Sequence, residues 1–126
     1  MRPVTEEWIA KAEGDFASAY REYRARKTPN CDSACFHAQQ CIEKYLKAYL
    51  QEHDRSFGKT HDLVQLLDLM PKDLGLESLR PAMAILSSYA VKFRYPGETA
   101  TKAYAKEALA LCKSARDDMR RILRLE

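Results

Sequence analysis

The stretch FHAQQCIEKYLKAYL, Phe36 to Leu50, admits one secondary structure. It contains no glycine or proline, its apolar side chains recur every three or four residues, and no period-two alternation competes with that spacing. At about 100° per residue, His37, Gln40, Glu43, Lys44, Lys47 and Gln51 project within an arc of roughly 120°. Ala34, Cys35, Ala38, Cys41, Ile42, Tyr45, Leu46, Ala48, Tyr49 and Leu50 fill about 200°. An apolar arc that wide is more than one neighbour covers in a monomeric bundle. The helix therefore packs centrally or supplies a subunit interface, and its polar arc, with His37 at or near the boundary, faces water.

The same period runs through the rest of the chain, and no strand ladder interrupts it. Trp8, Ala12, Phe16, Ala19 and Tyr23 predict a first helix from about Thr5 to Arg26, with Thr5 as N-cap and Glu6 and Glu7 at the positive helix end. Arg21, Arg24, Arg26 and Lys27 suit its negative end. Thr28-Pro29-Asn30 breaks the helix, Asp32 or Ser33 can cap the second one, and that helix continues to about Glu52. A short third helix fits His61 to Met70 behind a Thr60 cap and stops at Pro71. Leu76 to Phe93 makes a fourth, which tolerates Pro81 only near its first turn. After Tyr95-Pro96-Gly97 the last helix runs from Thr101 to Arg124. The expected fold is all-α: an antiparallel four-helix up-and-down bundle with one short extra helix.

At 126 residues the chain suffices for one domain, 1–126, around one core. With 46% hydrophobic and 31% charged residues it reads as globular, not disordered. A net charge of +3 permits nucleic acid as a partner without arguing for it. No apolar run reaches the roughly 20 residues that span a bilayer, and the N-terminus has no signal-like core, so no membrane association and a cytoplasmic location are expected. Cys31, Cys35, Cys41 and Cys112 make no paired CxxC sets. Cys35, Cys41 and Cys112 fall on apolar stripes and read as core thiols, so neither a metal nor a cofactor is expected.

Two polar residues fit their helices poorly. Gln39 projects beside Leu46 and Leu50, where a covered amide needs a partner. If it is covered, Gln39→Leu is expected to be tolerated, because the amide and its desolvation cost leave together. Asp15 lies on the apolar side of the first helix. It reaches solvent or Lys11, pairs with a cation such as Arg94 or Lys44, or faces a ligand.

FHAQQCIEKYLKAYL, followed by KTHDL at Lys59 to Leu63 and FRYPG at Phe93 to Gly97, resembles the HEPN domain family (higher eukaryotes and prokaryotes nucleotide-binding). The likeness extends to the leading helix with Trp8, Ala12, Asp15 and Ala19. It implies a small prokaryotic helical bundle, commonly a homodimer, encoded beside a minimal nucleotidyltransferase with which it forms a toxin-antitoxin-like or nucleotide-responsive pair. Many members are metal-independent ribonucleases that place an Arg four to six residues before a His. The cation holds the scissile phosphate and the imidazole moves the proton of the 2′-hydroxyl. Arg94 occupies the corresponding position, but no His follows it within that reach.

Arg55 and His61 do match the spacing, although such a match arises by chance about once in a chain of this composition. The resemblance therefore implies a HEPN partner of a minimal nucleotidyltransferase that is not itself catalytic. The alternative is an RNA endonuclease using Arg94, or Arg55 with His61. For a bound nucleotide, Arg94 and Lys44 are the candidate phosphate contacts, and Tyr95 the candidate face for a base. Their structural alternatives are a C-terminal cap or an Asp15 partner for Arg94, solvation for Lys44, and packing beside Pro96 for Tyr95. Phosphoryl transfer to His37 is a third and weaker possibility, since Gln40 and Cys41 stand where a helpful Lys would.

Overall fold

The structure is a computed structural model that describes residues 1–125. Its helices are α1 (Pro3–Arg24), α2 (Cys31–Glu52), α3 (Leu63–Asp68), α4 (Arg80–Lys92) and α5 (Lys102–Ile122). Single 3-10 turns at Lys72–Leu74 and Glu77–Leu79 lead into α4. Among the described residues there is no strand, and none of the helices is long and apolar enough to cross a membrane. The expected all-helical bundle, four long helices and a short one, is what forms.

Helix α2 packs centrally, against α1 most extensively and also against α5, α4 and α3. That resolves the wide apolar arc: the chain's own helices cover it. Helix α1 can approach closely because it turns small side chains inward at Thr5, Ala12, Asp15 and Ala19. Cys35, Cys41 and Cys112 are fully buried in one core with Tyr45, Leu46, Met83 and Met119. Burial pushes the Cys35 thiol up to about 12. Cys41 is pushed up by its bond with the Cys112 thiol and by burial. Neither supplies thiolate near neutral pH.

Helix ends differ from the sequence expectation wherever a capping side chain has a distant claim on it. Thr5 is not the N-cap of α1, because its hydroxyl donates to Glu52 Oε1 at 2.8 Å and Pro3 opens the helix two residues earlier. Asn30, not Asp32 or Ser33, caps α2, its side-chain oxygen accepting from the Ser33 amide at 2.9 Å. Asp32 instead accepts from the Ala100 amide at 2.6 Å and so ties the α4–α5 connection to the start of α2. Asp62 replaces Thr60 as the cap of α3, which leaves His61 outside the helix. Helix α4 starts at Arg80 rather than Leu76, with Pro81 in its first turn.

The polar arc of α2 also needs correction. Glu43 and Lys47 are buried, 3% and 6% exposed, under the α2–α3 connection. Lys47 Nζ lies 3.1 Å from Glu43 Oε2 and over the rings of Trp8 and Phe57. Two charges covered together are held by pairing and ring faces in place of water.

Candidate functional site

A groove of about 560 Å³ opens between the N-terminal half of α2, the start of α3 and the outer face of α4. That volume lies in the range of small-molecule sites. Phe36, Gln39 and Gln40 form its α2 wall, His61 and Asp62 its rim, and Ser87, Ser88, Val91 and Arg94 its α4 wall. Four-residue spacing puts Phe36 and Gln40 on one line of α2, and the end of α4 brings Arg94 above it.

The polar floor is a network centred on Glu43. The Gln39 amide donates to the His61 carbonyl at 2.9 Å and to Glu43 Oε1 at 3.2 Å. The Gln40 amide donates to Gln39 Oε1 at 2.9 Å and to Glu43 Oε1 at 3.3 Å. His61 Nδ1 lies 3.2 Å from both Glu43 oxygens, while 76% of its side chain remains exposed. A nitrogen facing a carboxylate carries the proton, so the lone pair of neutral His61 sits on Nε2. The Glu43 carboxylate is thus compensated by one ammonium, two amides and an imidazole.

Arg94 is exposed, and its guanidinium lies 5.8 Å from the centre of the Phe36 ring. Among the described residues it has neither a carboxylate partner nor a carbonyl acceptor; only its backbone amide bonds, to the Val91 carbonyl. The two structural alternatives for its side chain, a C-terminal cap and a pair with Asp15, are both absent. Asp15 is taken by Lys44 at 2.5 Å and by His37 Nδ1 at 2.7 Å. Of the partners weighed for Asp15, Lys44 is therefore the one it has, and Lys11 and Arg94 are not.

Of the sequence candidates, the groove brings Arg94 and His61 together. Lys44 is committed to Asp15 and does not line the groove. Tyr95 follows Arg94 with 61% of its surface exposed, outside the lining. Arg55 donates to the Leu69 carbonyl at 3.0 Å and belongs to a different depression, with Gln51 and Phe57. The sequence reading left Phe36, Gln40 and Glu43 without roles. Gln39, Glu43 and Lys47 recur at successive four-residue steps, a polar ladder that was visible signal for the network. Among the described residues, no three His, Cys, Asp or Glu side chains are arranged to hold a metal ion.

Two solved structures resemble the chain along nearly its whole length. TT1696 from Thermus thermophilus superposes with a TM-score of 0.78 at 24% identity, covering 93% of this chain and 96% of that one. ST0689, an archaeal HEPN homologue, gives 0.72 at 24% identity, covering 95% and 97%. Similarity at that identity establishes the shared fold. No curated protein matches the sequence. The family model of the HEPN domain matches residues 5–122, and the chain belongs to the HEPN domain family.

Proposed function

We propose that this protein is a homodimeric, noncatalytic partner of a minimal nucleotidyltransferase and that its groove binds a nucleotide. The observation that carries the groove reading is Arg94, an exposed guanidinium over an aromatic ring with no anion among the described residues to hold it. A permanent cation whose planar donors face an open groove suits a phosphate group. The Gln40 side-chain carbonyl and the Asp62 and Ser88 side chains are polar groups from which ribose or base contacts can be drawn. Lys44 is left out of this reading because Asp15 holds it.

The test pairs thermal melts with titrations of ATP, and of the protein encoded beside this gene, against wild type and Arg94→Ala. With no side-chain hydrogen bond to lose, the variant should melt within about 0.5 kcal/mol of wild type. Binding should weaken by about tenfold or more, as when a charge-assisted contact is removed. A well-folded Arg94→Ala protein that binds both ligands as wild type does would sink the site reading.

A second reading, metal-independent RNA cleavage, draws on a specific feature: Arg94 and His61 line one groove, and Glu43 orients the imidazole. Arg94 would hold the scissile phosphate and His61 Nε2 would take the 2′-hydroxyl proton. Cleavage of labelled RNA in the presence of EDTA, abolished by His61→Ala in a protein that still melts normally, would favour this reading over the noncatalytic one.

A further inference from the structure

The hydrogen bonds on the α2 wall of the groove have a fixed direction. Glu43 is buried and its carboxylate only accepts: Lys47 Nζ lies 3.1 Å from Oε2, and the side-chain amides of Gln39 and Gln40 both donate to Oε1. Gln39 uses its other amide hydrogen on the His61 carbonyl at 2.9 Å. Its own side-chain oxygen is thereby left for Gln40, which donates to it at 2.9 Å. Both amide hydrogens of Gln40 are then engaged. A reversed Gln40 amide would set its oxygen against the Gln39 oxygen and the Glu43 carboxylate, so the network itself assigns the orientation. What Gln40 has left for the groove is an acceptor. Its Oε1 has no partner among the described residues, and none of their buried side-chain polar atoms is unpaired, so that oxygen is open to solvent.

The α4 wall carries the opposite polarity. Ser87 Oγ accepts from the Leu63 amide at 3.0 Å, and its hydroxyl hydrogen has no acceptor among the described residues. At the rim, Asp62 Oδ1 caps α3 through the Val64 amide, which leaves Oδ2 as a further acceptor. The Leu63 bond ties Ser87 to the end of the groove where His61 meets Gln39. Arg94 follows Ser87 by seven residues, roughly 10 Å along the helix direction, and lies over Phe36. One end of the groove thus offers a cation, and the other an acceptor and a donor on facing walls.

We propose that the groove selects its nucleotide by the polarity of one base edge. It takes adenine or cytosine, which carry an exocyclic amine beside an unprotonated ring nitrogen. It rejects hypoxanthine and uracil, whose carbonyl and ring N–H reverse that order. The amine donates to Gln40 Oε1, the ring nitrogen accepts from the Ser87 hydroxyl, and Arg94 is left for the phosphates. A carbonyl in place of the amine would meet the Gln40 oxygen, two acceptors with no proton between them. A site built to hydrogen-bond one group rejects an analogue lacking it more strongly than an apolar pocket can. This selectivity rests on the nucleotide reading of the groove, with Gln40 as the selecting residue and Gln39 and Glu43 as positioning residues that fix its direction.

The test is calorimetric titration of the full chain with ATP, ITP, CTP and UTP. Within the pairs ATP and ITP, and CTP and UTP, charge and ring size are equal and the edge polarity is reversed. ATP should bind about tenfold or more tighter than ITP, and CTP than UTP by a similar factor. In Gln40→Met, which keeps the side-chain length without a strong acceptor, both ratios should fall toward one. Arg94→Ala should weaken all four nucleotides together and leave the ratios as they are. The wild-type ratios decide the proposal on their own should Gln40→Met fold poorly. Equal binding within each pair would overturn the selectivity and leave nucleotide binding standing, whereas no binding of any of the four would overturn both. Ratios that persist in a folded Gln40→Met protein would overturn the role of Gln40.

Discussion

Gln39 shows how a residue's partners decide what its removal costs. Read alone, a covered amide can be exchanged for Leu at little cost, because donor, acceptor and desolvation vanish together. Its actual partners are a main-chain carbonyl and a buried carboxylate, and neither vanishes with it. Gln39→Leu would strip the buried Glu43 of one donor and remove the donor that the His61 carbonyl has in a part-buried contact. We therefore expect Gln39→Leu to destabilise by about 1–3 kcal/mol, comparable with Gln39→Ala. Urea melts of the two variants measure it, and a Leu variant as stable as wild type would show that Glu43 is satisfied by its other donors. That Gln39 needed a partner was legible from its place on the wheel. Which partner was not, because the His61 carbonyl reaches it through the fold of a connection that no periodicity describes.

At the scale of elements, three helices are joined at Glu13. Arg116 of α5 donates to both its oxygens at 2.7 Å, and the Tyr45 hydroxyl of α2 donates to Glu13 Oε2. The Arg116 bond, with help from Tyr45, holds the Glu13 carboxyl below the usual range despite partial burial. Because the folded value lies below the unfolded one, this stabilisation is present above the unfolded value of about 4.3. It is lost as pH falls through the folded value. With a third of the Glu13 side chain exposed, solvent screening holds the gain to about 1 kcal/mol. Glu13→Gln should therefore melt below wild type near neutral pH, and the gap should close as pH falls through the lowered folded value of the Glu13 carboxyl. A gap that persists in acid would mean that the amide disturbs packing rather than charge. Helix existence and order were readable because they follow from local periodicity. Glu13 lies far in sequence from Arg116, and that clamp, like the burial of Glu43 and Lys47, depends on which faces meet.

For the whole molecule, the central place of α2 removes one argument for self-association, and what remains is a test at the surface. The large apolar side chains left exposed are Met1, Val4, Leu69, Val91 and Tyr95. Val91 stands at the lip of the groove with Arg94, and Tyr95 follows Arg94 just outside the lining. A stable dimer covers roughly 800 Å² per partner, about a tenth of the 7217 Å² this chain exposes. A two-fold contact through the outer face of α4 would use that lip twice and set two copies of Arg94 near one axis. The homodimer proposed above then makes a definite forecast. Light scattering at micromolar concentration should report a dimer for wild type and a monomer for Val91→Glu, with the melting temperature of the dilute variant little changed. Two like charges of Arg94 near the axis would also make the dimer tighten when ATP or moderate salt screens them. A wild type that stays monomeric with and without ATP would remove the homodimer, and a dimer indifferent to Val91→Glu would move the interface away from α4.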